Sequence, residues 1–320
     1  MKINHNVNLS QIAYYRIGAK AKLLLDVFSE RDLQDALEYI KHNRISPVYV
    51  LGLGSNLLLP DDNLEGVVLH LTGDGTAIKV GENAITVFSG ITIAEVIKCA
   101  FQHNLAGLAW AGGLPSTVGG AIRGNAGCFG SEMKDIVESV SFVDLTDPGL
   151  KLQTFDQQQC QFGYRESYFK YHADLLIVSA TFKLQQGDWT EMQKQNEIYQ
   201  KNIEYRRSHH PLEYPSCGSV FKNISQSDHL QKVIEVWPDI EPMVKTRWYG
   251  KVSMAYIIGR LGFAGYRVGG AQVSQKHNNY ISNIGNAKSA DVKSIITSIQ
   301  SKFNKTFGFS PEPEVQILNI

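Results

Sequence analysis

The segment GLAWAGGLPSTVGGAIRGNAGCFG, residues 107–130, is the stretch of the chain that most strongly indicates a fold. It holds eight glycines in 24 residues, whereas average glycine usage is about 7%. Glycine permits positive φ angles and lets other atoms approach the backbone closely. Backbone N–H groups exposed in such a loop form an anion-binding concavity, which would suit a pyrophosphate. Side-chain donors would be added by Ser116, Thr117 and Asn125. Glycine density alone fits a set of tight turns between strands equally well.

A second glycine turn, Gly52-Leu-Gly54-Ser55-Asn56, follows the short buried-strand pattern of residues 47–51. It resembles the opening of a dinucleotide-binding fingerprint, but Leu57 stands where the third glycine belongs. No glycine precedes a Gly-Lys-Ser/Thr at the spacing of a P-loop. Two glycine turns far apart in the chain favour a dinucleotide that lies between two lobes.

The apolar periodicity predicts a mixture of helices and strands. Ser29 is expected to cap a helix with Leu33, Ala36, Leu37 and Ile40 on one face, and Thr92 is expected to cap another. A polar helix at 190–207 suggests a connector between domains. The remaining expected elements are helices at 228–236, 253–261 and 291–307, and strands near 67–71, 77–80, 84–88, 137–144, 175–184, 269–273, 280–281 and 315–318.

Composition excludes several classes of protein. The 320 residues carry 31 basic and 31 acidic side chains, so the basic excess of a duplex-binding protein is absent. The four scattered cysteines fit a reducing compartment. The first residues lack the apolar core of a signal peptide, and no apolar run approaches the ~18 residues of a membrane span. We therefore expect a cytoplasmic protein that binds neither nucleic acid nor membrane.

Several polar residues are candidates for chemistry, each with a structural alternative. Arg165 lies among aromatic residues, where it would either clamp a carboxylate or form a structural pair with Glu166. Cys217 is a nucleophile or a core residue, and Ser219 is a functional hydroxyl or a cap. Glu314, near the end of the chain, is functional or simply solvated. No metal is expected, because His209 and His210 are adjacent and no ligand spacing recurs.

Taken in order, these motifs resemble the UDP-N-acetylenolpyruvoylglucosamine reductase family. The resemblance is to its shorter class, which lacks a loop bearing a substrate-closing tyrosine. Three features depart from the family pattern. Ile224 replaces a proline, Gly124 replaces a methionine, and residues 225–250 look like an inserted helix and turn packed on the C-terminal domain. The matching segments are 15–18, 51–57, 111–127, 162–169, 218–223, 266–281 and 312–315.

The resemblance implies an α+β fold. A two-lobed FAD-binding domain of the vanillyl-alcohol-oxidase (PCMH) type would occupy residues 1–186, with lobes at 1–70 and 71–186. An α+β substrate-binding domain would occupy 187–320, and its C-terminal segment would return to the active site. The implied activity is the NADPH-dependent, FAD-mediated reduction of UDP-N-acetylenolpyruvoylglucosamine to UDP-N-acetylmuramate in peptidoglycan precursor synthesis, by a protein expected to be a monomer.

The resemblance also assigns roles to residues. Arg165 would stabilise charge that develops on the substrate carboxylate. Ser219 would deliver a proton to carbon, and Glu314 would hold or share a proton, because two bare carboxylates repel. The implied cofactor-binding residues are Gly52, Gly54, Ser55, Asn56, Leu57, Gly113, Pro115, Ser116, Thr117, Gly119, Gly120, Asn125, Gly127 and Ile177. The implied substrate-binding residues are Tyr164, Lys222, Asn223, Arg267, Lys276 and Asn278.

Two other functions stay open at this point. A flavin oxidase or dehydrogenase of the same fold would act on a different small substrate, which would itself reduce the flavin. A non-catalytic nucleotide-binding module would carry no flavin or would fail to turn over.

Overall fold

The structure is a computed structural model that describes residues 1–73 and 75–318. Within those ranges, none of the helices combines the length and the apolar character needed to cross a bilayer. The α-helices in chain order are α1 (Glu30–His42), α2 (Ile93–Gln102), α3 (Val118–Arg123), α4 (Tyr168–Tyr171), α5 (Trp189–His209), α6 (Ser227–Val236), α7 (Glu241–Thr246), α8 (Met254–Arg260) and α9 (Ser289–Phe307).

The strands in chain order are β1 (Lys2–Asn8), β2 (Lys20–Val27), β3 (Val48–Leu51), β4 (Leu57–Leu58), β5 (Val67–Leu71), β6 (Ile78–Val80), β7 (Ala84–Phe88), β8 (Leu105–Ala106), β9 (Gly127–Cys128), β10 (Ser131–Glu132), β11 (Val137–Asp144), β12 (Leu152–Asp156), β13 (Leu175–Lys183), β14 (Gln185–Gln186), β15 (Arg267–Val268), β16 (Ala271–Val273), β17 (Ile281–Asn283) and β18 (Gln316–Ile317).

The chain forms two compact units. The first comprises Met1–Val7, Ala21–Leu53 and Leu64–Ser208, and the second comprises Asn8–Lys20, Gly54–Asn63 and His209–Ile320. The predicted domains, 1–186 and 187–320, divide the chain by expected function, the first for flavin binding and the second for substrate binding. Their bounds stay a prediction.

One sheet of the first unit has the strand order β1-β2-β5-β3, with β2 and β3 both parallel to β5. Helix α1 begins at Glu30 because the Ser29 hydroxyl accepts the N–H of Asp32 at 3.1 Å. The predicted apolar face of α1 is buried in the same core as Leu25 and Leu69 of this sheet. The predicted cap and stripe are therefore confirmed.

The other large sheet of the first unit is antiparallel, in the order β12-β11-β13-β7-β6. Helix α2 begins at a capping box in which Thr92 and Glu95 satisfy each other's backbone N–H groups. These two sheets, one from each half of the unit, provide the two lobes expected of the flavin-binding domain.

Helix α5 packs on the first unit as far as Ser208, although its polarity suggested a connector. Asn202 is buried and donates to the Ala109 carbonyl at 3.2 Å. Gly112 allows close approach, since a Cβ there would lie 2.8 Å from the Tyr199 carbonyl oxygen. The connector interpretation missed this packing because the helix uses polar side chains and backbone contacts in place of an apolar stripe.

The second unit has a three-stranded sheet, β15-β16-β17, and a parallel pair formed by β4 and β18. Helix α9 buries the predicted stripe of Val292, Ile295, Ile296, Ile299 and Phe303 in the core of this unit.

The predicted insertion, residues 225–250, forms α6, a 3₁₀ turn and α7. Trp237 packs edge-on against Phe307 with ring centroids 4.9 Å apart, and His229 stacks on Phe309 at 4.0 Å. Ile224 and Val252 are bridge partners, so the segment leaves and re-enters the unit at neighbouring points. The expectation of a helix and turn packed on the C-terminal part of the chain is confirmed, and that the segment is an insertion stays a prediction.

Replacing residues 225–250 by a short glycine-serine turn should leave FAD binding intact, because none of the predicted cofactor-binding residues lies in this segment. The free energy of unfolding should fall by several kcal/mol, since Val233, Ile240 and Val244 leave the core and each buried aliphatic side chain contributes about 1.5–3 kcal/mol. Flavin absorbance per chain and urea unfolding measure the two effects. Loss of the flavin would show that the segment is core to the whole protein.

A matched pair of point variants provides the control on α6. Val233 is fully buried, whereas Val236 is 45% exposed. Val233→Ala should cost about 2 kcal/mol, from two methyl groups and the cavity they leave. Val236→Ala should stay within about 0.5 kcal/mol of the parent protein.

Candidate active site

Gly52, which opens the first glycine turn, lies against Thr117 of the second glycine segment in the first unit. A Cβ on Gly52 would lie 2.5 Å from Thr117 Oγ1 and 3.1 Å from Thr117 Cγ2. Rotating the threonine would not clear the clash, because both branches of its side chain are close. Glycine at position 52 is therefore required for the first turn to lie against the start of α3.

The N–H groups of the second turn are largely used within the protein. Val118 N–H donates to Ile91 at 2.9 Å, Gly119 N–H to Ser89 at 2.9 Å, and Gly120 N–H to the Thr117 hydroxyl at 3.4 Å. Ser116 N–H donates to Leu114 at 3.1 Å. The expectation that successive free N–H groups here form an anion-binding concavity is therefore wrong for these four residues.

Two buried polar atoms near these turns fit a polar cofactor. Within the described part of the chain, Ser89 Oγ and Trp110 Nε1 have no hydrogen-bond partner, and their residues are 1% and 7% exposed. Gly119 lies against Ser89, where a Cβ would be 3.0 Å from the serine Cβ. A flavin dinucleotide, which carries many donors and acceptors, is a suitable partner for such a donor set.

The remaining predicted cofactor residues lie in different surroundings. Gly54 and Gly113 have positive φ angles of 63° and 72°, which glycine adopts readily. Ile177 is buried in β13 opposite Phe142. Asn56 and Leu57 lie in the second unit, where Asn56 Nδ2 donates to the Glu314 carbonyl at 3.1 Å and Leu57 pairs with Gln316.

Gly52→Ala should weaken FAD binding at least tenfold, because the new methyl group displaces Thr117 and the start of α3. Titrating the apoprotein with FAD and following flavin fluorescence measures the dissociation constant.

Gly124→Ala is the matched control, since a Cβ there meets its nearest atom at an ordinary 3.6 Å and the φ of Gly124 is −93°. Equal affinities in the two variants would contradict the proposed role of the Gly52–Thr117 contact.

Arg165 lies at the tip of a tight turn in the first unit. Gly163 and Glu166 form a bridge with hydrogen bonds of 3.0 and 3.2 Å, which leaves Tyr164 and Arg165 as the central residues. The guanidinium lies 5.3 Å from the centre of the Tyr164 ring, and Nη2 donates to the Gly127 carbonyl at 2.7 Å.

Ser219 and Glu314 lie on neighbouring segments of the second unit. Ser219 bridges Tyr280, and Phe221 bridges Pro313. Between these bridges, Val220 N–H donates to Asn279 at 2.8 Å and its carbonyl accepts the Glu314 N–H at 2.7 Å. The structure thus brings the predicted serine and glutamate together, and it places Arg165 in the other unit.

Cys217 is a core residue. It is 2% exposed, and burial raises the pKa of its thiol to about 12, with the Glu314 carboxylate adding to the shift. Its hydrogen-bond partner is Tyr15, whose own pKa burial also raises. A thiol with such a pKa stays protonated at neutral pH, so it is a poor nucleophile.

The predicted substrate residues of the second unit have varied environments. Lys222 is 6% exposed, and its ammonium lies 2.5 Å from the Glu312 carboxylate. Asn223 Oδ1 accepts the Met254 N–H at the start of α8. Arg267 and Lys276 are exposed, whereas Asn278 Oδ1 is buried and has no partner among the described residues.

His277 lies beside these residues in a partly buried aromatic cluster with His210 and Tyr280. His210 Nδ1 and Tyr280 Oη are 3.1 Å apart, and His277 Nδ1 is buried with no partner in the described chain. Burial lowers the pKa of His277 from its ordinary value of 6.5, because the imidazolium would lose its solvation.

The free energy of unfolding should therefore decrease as the pH falls below about 6.5. In that window the unfolded chain binds a proton at His277 and the folded protein does not. His277→Gln should flatten this part of the profile, as measured by urea unfolding between about pH 7 and pH 5, whereas exposed His42→Gln should not. If the free energy of unfolding of His277→Gln fell with pH as steeply as that of the parent protein, His277 would not be the group responsible.

Asn279 is a site residue that motif reasoning missed. Its side chain accepts the Phe221 N–H at 3.0 Å and donates to the Phe221 carbonyl at 2.8 Å. These two bonds satisfy the backbone groups of Phe221, two residues after Ser219, as a neighbouring strand would. The pair Asn278-Asn279 was visible in the sequence, but which asparagine turns inward depends on tertiary pairing.

Two family models match the chain. The FAD binding domain matches residues 21–149, and the UDP-N-acetylenolpyruvoylglucosamine reductase C-terminal domain matches residues 210–318. With the two-lobed first unit, these matches define the class: the chain is an oxidoreductase with an FAD-binding domain, which confirms the predicted flavin cofactor.

Relatives that match along almost the whole chain define the family. UDP-N-acetylenolpyruvoylglucosamine reductase of Lactobacillus johnsonii is 33% identical over 317 residues, covering 99% of this chain and 94% of the relative. The reductase of Synechocystis sp. is 35% identical over 322 residues, covering 99% and 90%. The chain therefore belongs to the UDP-N-acetylenolpyruvoylglucosamine reductase family.

A solved structure supports the fold. The crystal structure of the reductase from Thermus caldophilus superposes with a TM-score of 0.75 at 24% identity and covers 100% of both chains. The predicted fold class, a two-lobed FAD-binding domain followed by a second α+β part, is confirmed.

Proposed function

We propose that this protein reduces UDP-N-acetylenolpyruvoylglucosamine to UDP-N-acetylmuramate with NADPH as the source of electrons, in the cytoplasmic synthesis of peptidoglycan precursors. The observation that carries the proposal is the pairing of Ser219 and Glu314 through Val220 in the second unit. Family membership and the FAD-binding domain support it.

The two glycine turns, residues 52–56 and 113–120, would hold FAD, and the bound flavin would supply hydride chemistry toward the enolpyruvyl methylene carbon. Addition of hydride there leaves negative charge on the neighbouring carbon and on the carboxylate. The guanidinium of Arg165 stabilises this charge, since a fixed cation acts strongly where charge develops. The carboxyl of Glu314 shares a proton with the substrate carboxylate, because two carboxylates in contact repel each other.

Ser219 delivers a proton from its hydroxyl to the carbon that bears the ether oxygen. A serine hydroxyl is a weak acid, so this step requires a strongly basic carbon and the exclusion of water. Lys222 lies three residues after Ser219 in the chain, and its ammonium is paired with Glu312. It provides a positive charge in the same segment as the serine. Tyr164, Asn223, Arg267, Lys276 and Asn278 contribute to substrate binding.

Anaerobic titration of the purified protein tests this proposal. The yellow flavin band should bleach with NADPH and recover when the enolpyruvyl substrate is added. Bleaching by another small molecule, without recovery, would indicate an oxidase or dehydrogenase of the same fold. A protein that binds no flavin, or binds it and never turns over, would be a nucleotide-binding module.

Ser219→Ala should leave flavin reduction by NADPH unchanged and slow the recovery of the flavin band about 10²–10⁴-fold, the usual range for a lost general acid. Stopped-flow absorbance measures the two steps separately. Ser208→Ala is the matched control, since that hydroxyl donates to a helix carbonyl in α5. Unchanged recovery in Ser219→Ala would remove Ser219 from the mechanism.

A further inference from the structure

The backbone of Arg165 is held in an uncommon conformation. Its φ angle is +60° at the third position of the turn formed by residues 163–166. A turn of this kind normally has glycine or asparagine at that position, because a side chain crowds the backbone there. Surrounding contacts must therefore hold the turn in place.

Two side chains hold the backbone of this turn. Asn125 Nδ2 donates to the Gly163 carbonyl at 2.7 Å, and Lys170 Nζ donates to the Arg165 carbonyl at 2.8 Å. The Gly163 carbonyl also accepts the Glu166 N–H that closes the turn. Asn125 thus acts on the oxygen that defines the geometry of the turn.

Both amide hydrogens of the Asn125 side chain are committed to protein partners. The residue is 0% exposed, its second amide hydrogen goes to Glu132 Oε2 at 2.8 Å, and its oxygen accepts the Lys134 N–H at 3.0 Å. An amide has two hydrogens to donate, and both are used. The side chain therefore has no donor left for a cofactor, and its predicted cofactor-binding role stays a prediction.

We propose that Asn125 and Lys170 are positioning residues that hold the Arg165 turn in the conformation needed for the substrate-reducing step. This inference rests on the proposed role of Arg165. Displacing a catalytic group by about 1 Å can cost on the order of 10²-fold in rate. Neither residue needs to touch the substrate to have this effect.

Asn125→Asp is the sharpest test, because aspartate has nearly the same size and tolerates left-handed backbone. It turns a donor toward Gly163 into an acceptor and places a second carboxylate beside Glu132. Stopped-flow measurements should show a substrate step slowed roughly 10–100-fold, and slowed more than flavin reduction by NADPH. Lys170→Met, which keeps the length of the side chain, should slow the same step.

A double-mutant cycle separates positioning from a general structural effect. In an Arg165→Ala background, adding Asn125→Asp or Lys170→Met should change the substrate step by less than about twofold. Asn43→Asp is the control, since Asn43 also donates to a backbone carbonyl, that of Tyr39, at the end of α1. It should leave both steps unchanged.

Equal slowing of both steps, or full additivity with Arg165→Ala, would overturn the inference. If Asn125→Asp loses its flavin, the double-mutant cycle of Lys170→Met with Arg165→Ala tests the inference. Slowing of the substrate step alone, without additivity, would support the positioning role. A wild-type protein that NADPH reduces but the enolpyruvyl substrate does not reoxidise would refute the proposed function. A wild-type protein that turns over beside variants with no step-specific loss would refute only the positioning role.

Discussion

The hydrogen bonds on the two sides of Val220 are the constraint on which the site in the second unit depends. This buried residue joins three segments that are far apart in the sequence, since its N–H donates to Asn279 and its carbonyl accepts from Glu314. An unmade bond at a buried backbone group costs about 1–3 kcal/mol. The positions of Ser219 and Glu314 therefore follow from backbone pairing beside Val220.

Much of the fold could be predicted because its signals are local. Ser29 and Thr92 precede apolar stripes with helical spacing, and both cap the helices expected of them. The pairing of β4 with β18 could not be predicted, because each strand is two residues long and they lie more than 250 residues apart. The packing of α5 was also missed. The side of this helix that faces the protein carries Asn202 and Tyr199, so the sequence shows no apolar residues repeating at helical spacing.

The sequence indicated candidate members of the site, and it did not indicate their geometry. Glycine spacing indicated two turns, and the close approach of Gly52 to Thr117 agrees with that pattern. The same pattern suggested free N–H groups at 116 and 118–120, which instead bond within the protein. Nor does the sequence show that Arg165 has a positive φ angle or that the Asn125 amide is directed at Gly163, since both depend on contacts between separate loops.

The most direct test of the central claim, that this chain reduces an enolpyruvyl ether with a proton delivered to carbon, is to run the reaction in D₂O. NADPH and the purified protein would convert the substrate, and NMR would locate deuterium in the product. We predict one solvent-derived deuterium on the carbon that bears the ether oxygen, next to a newly formed methyl group. Recovery of the substrate with its methylene intact, or a product with no deuterium on that carbon, would contradict the account.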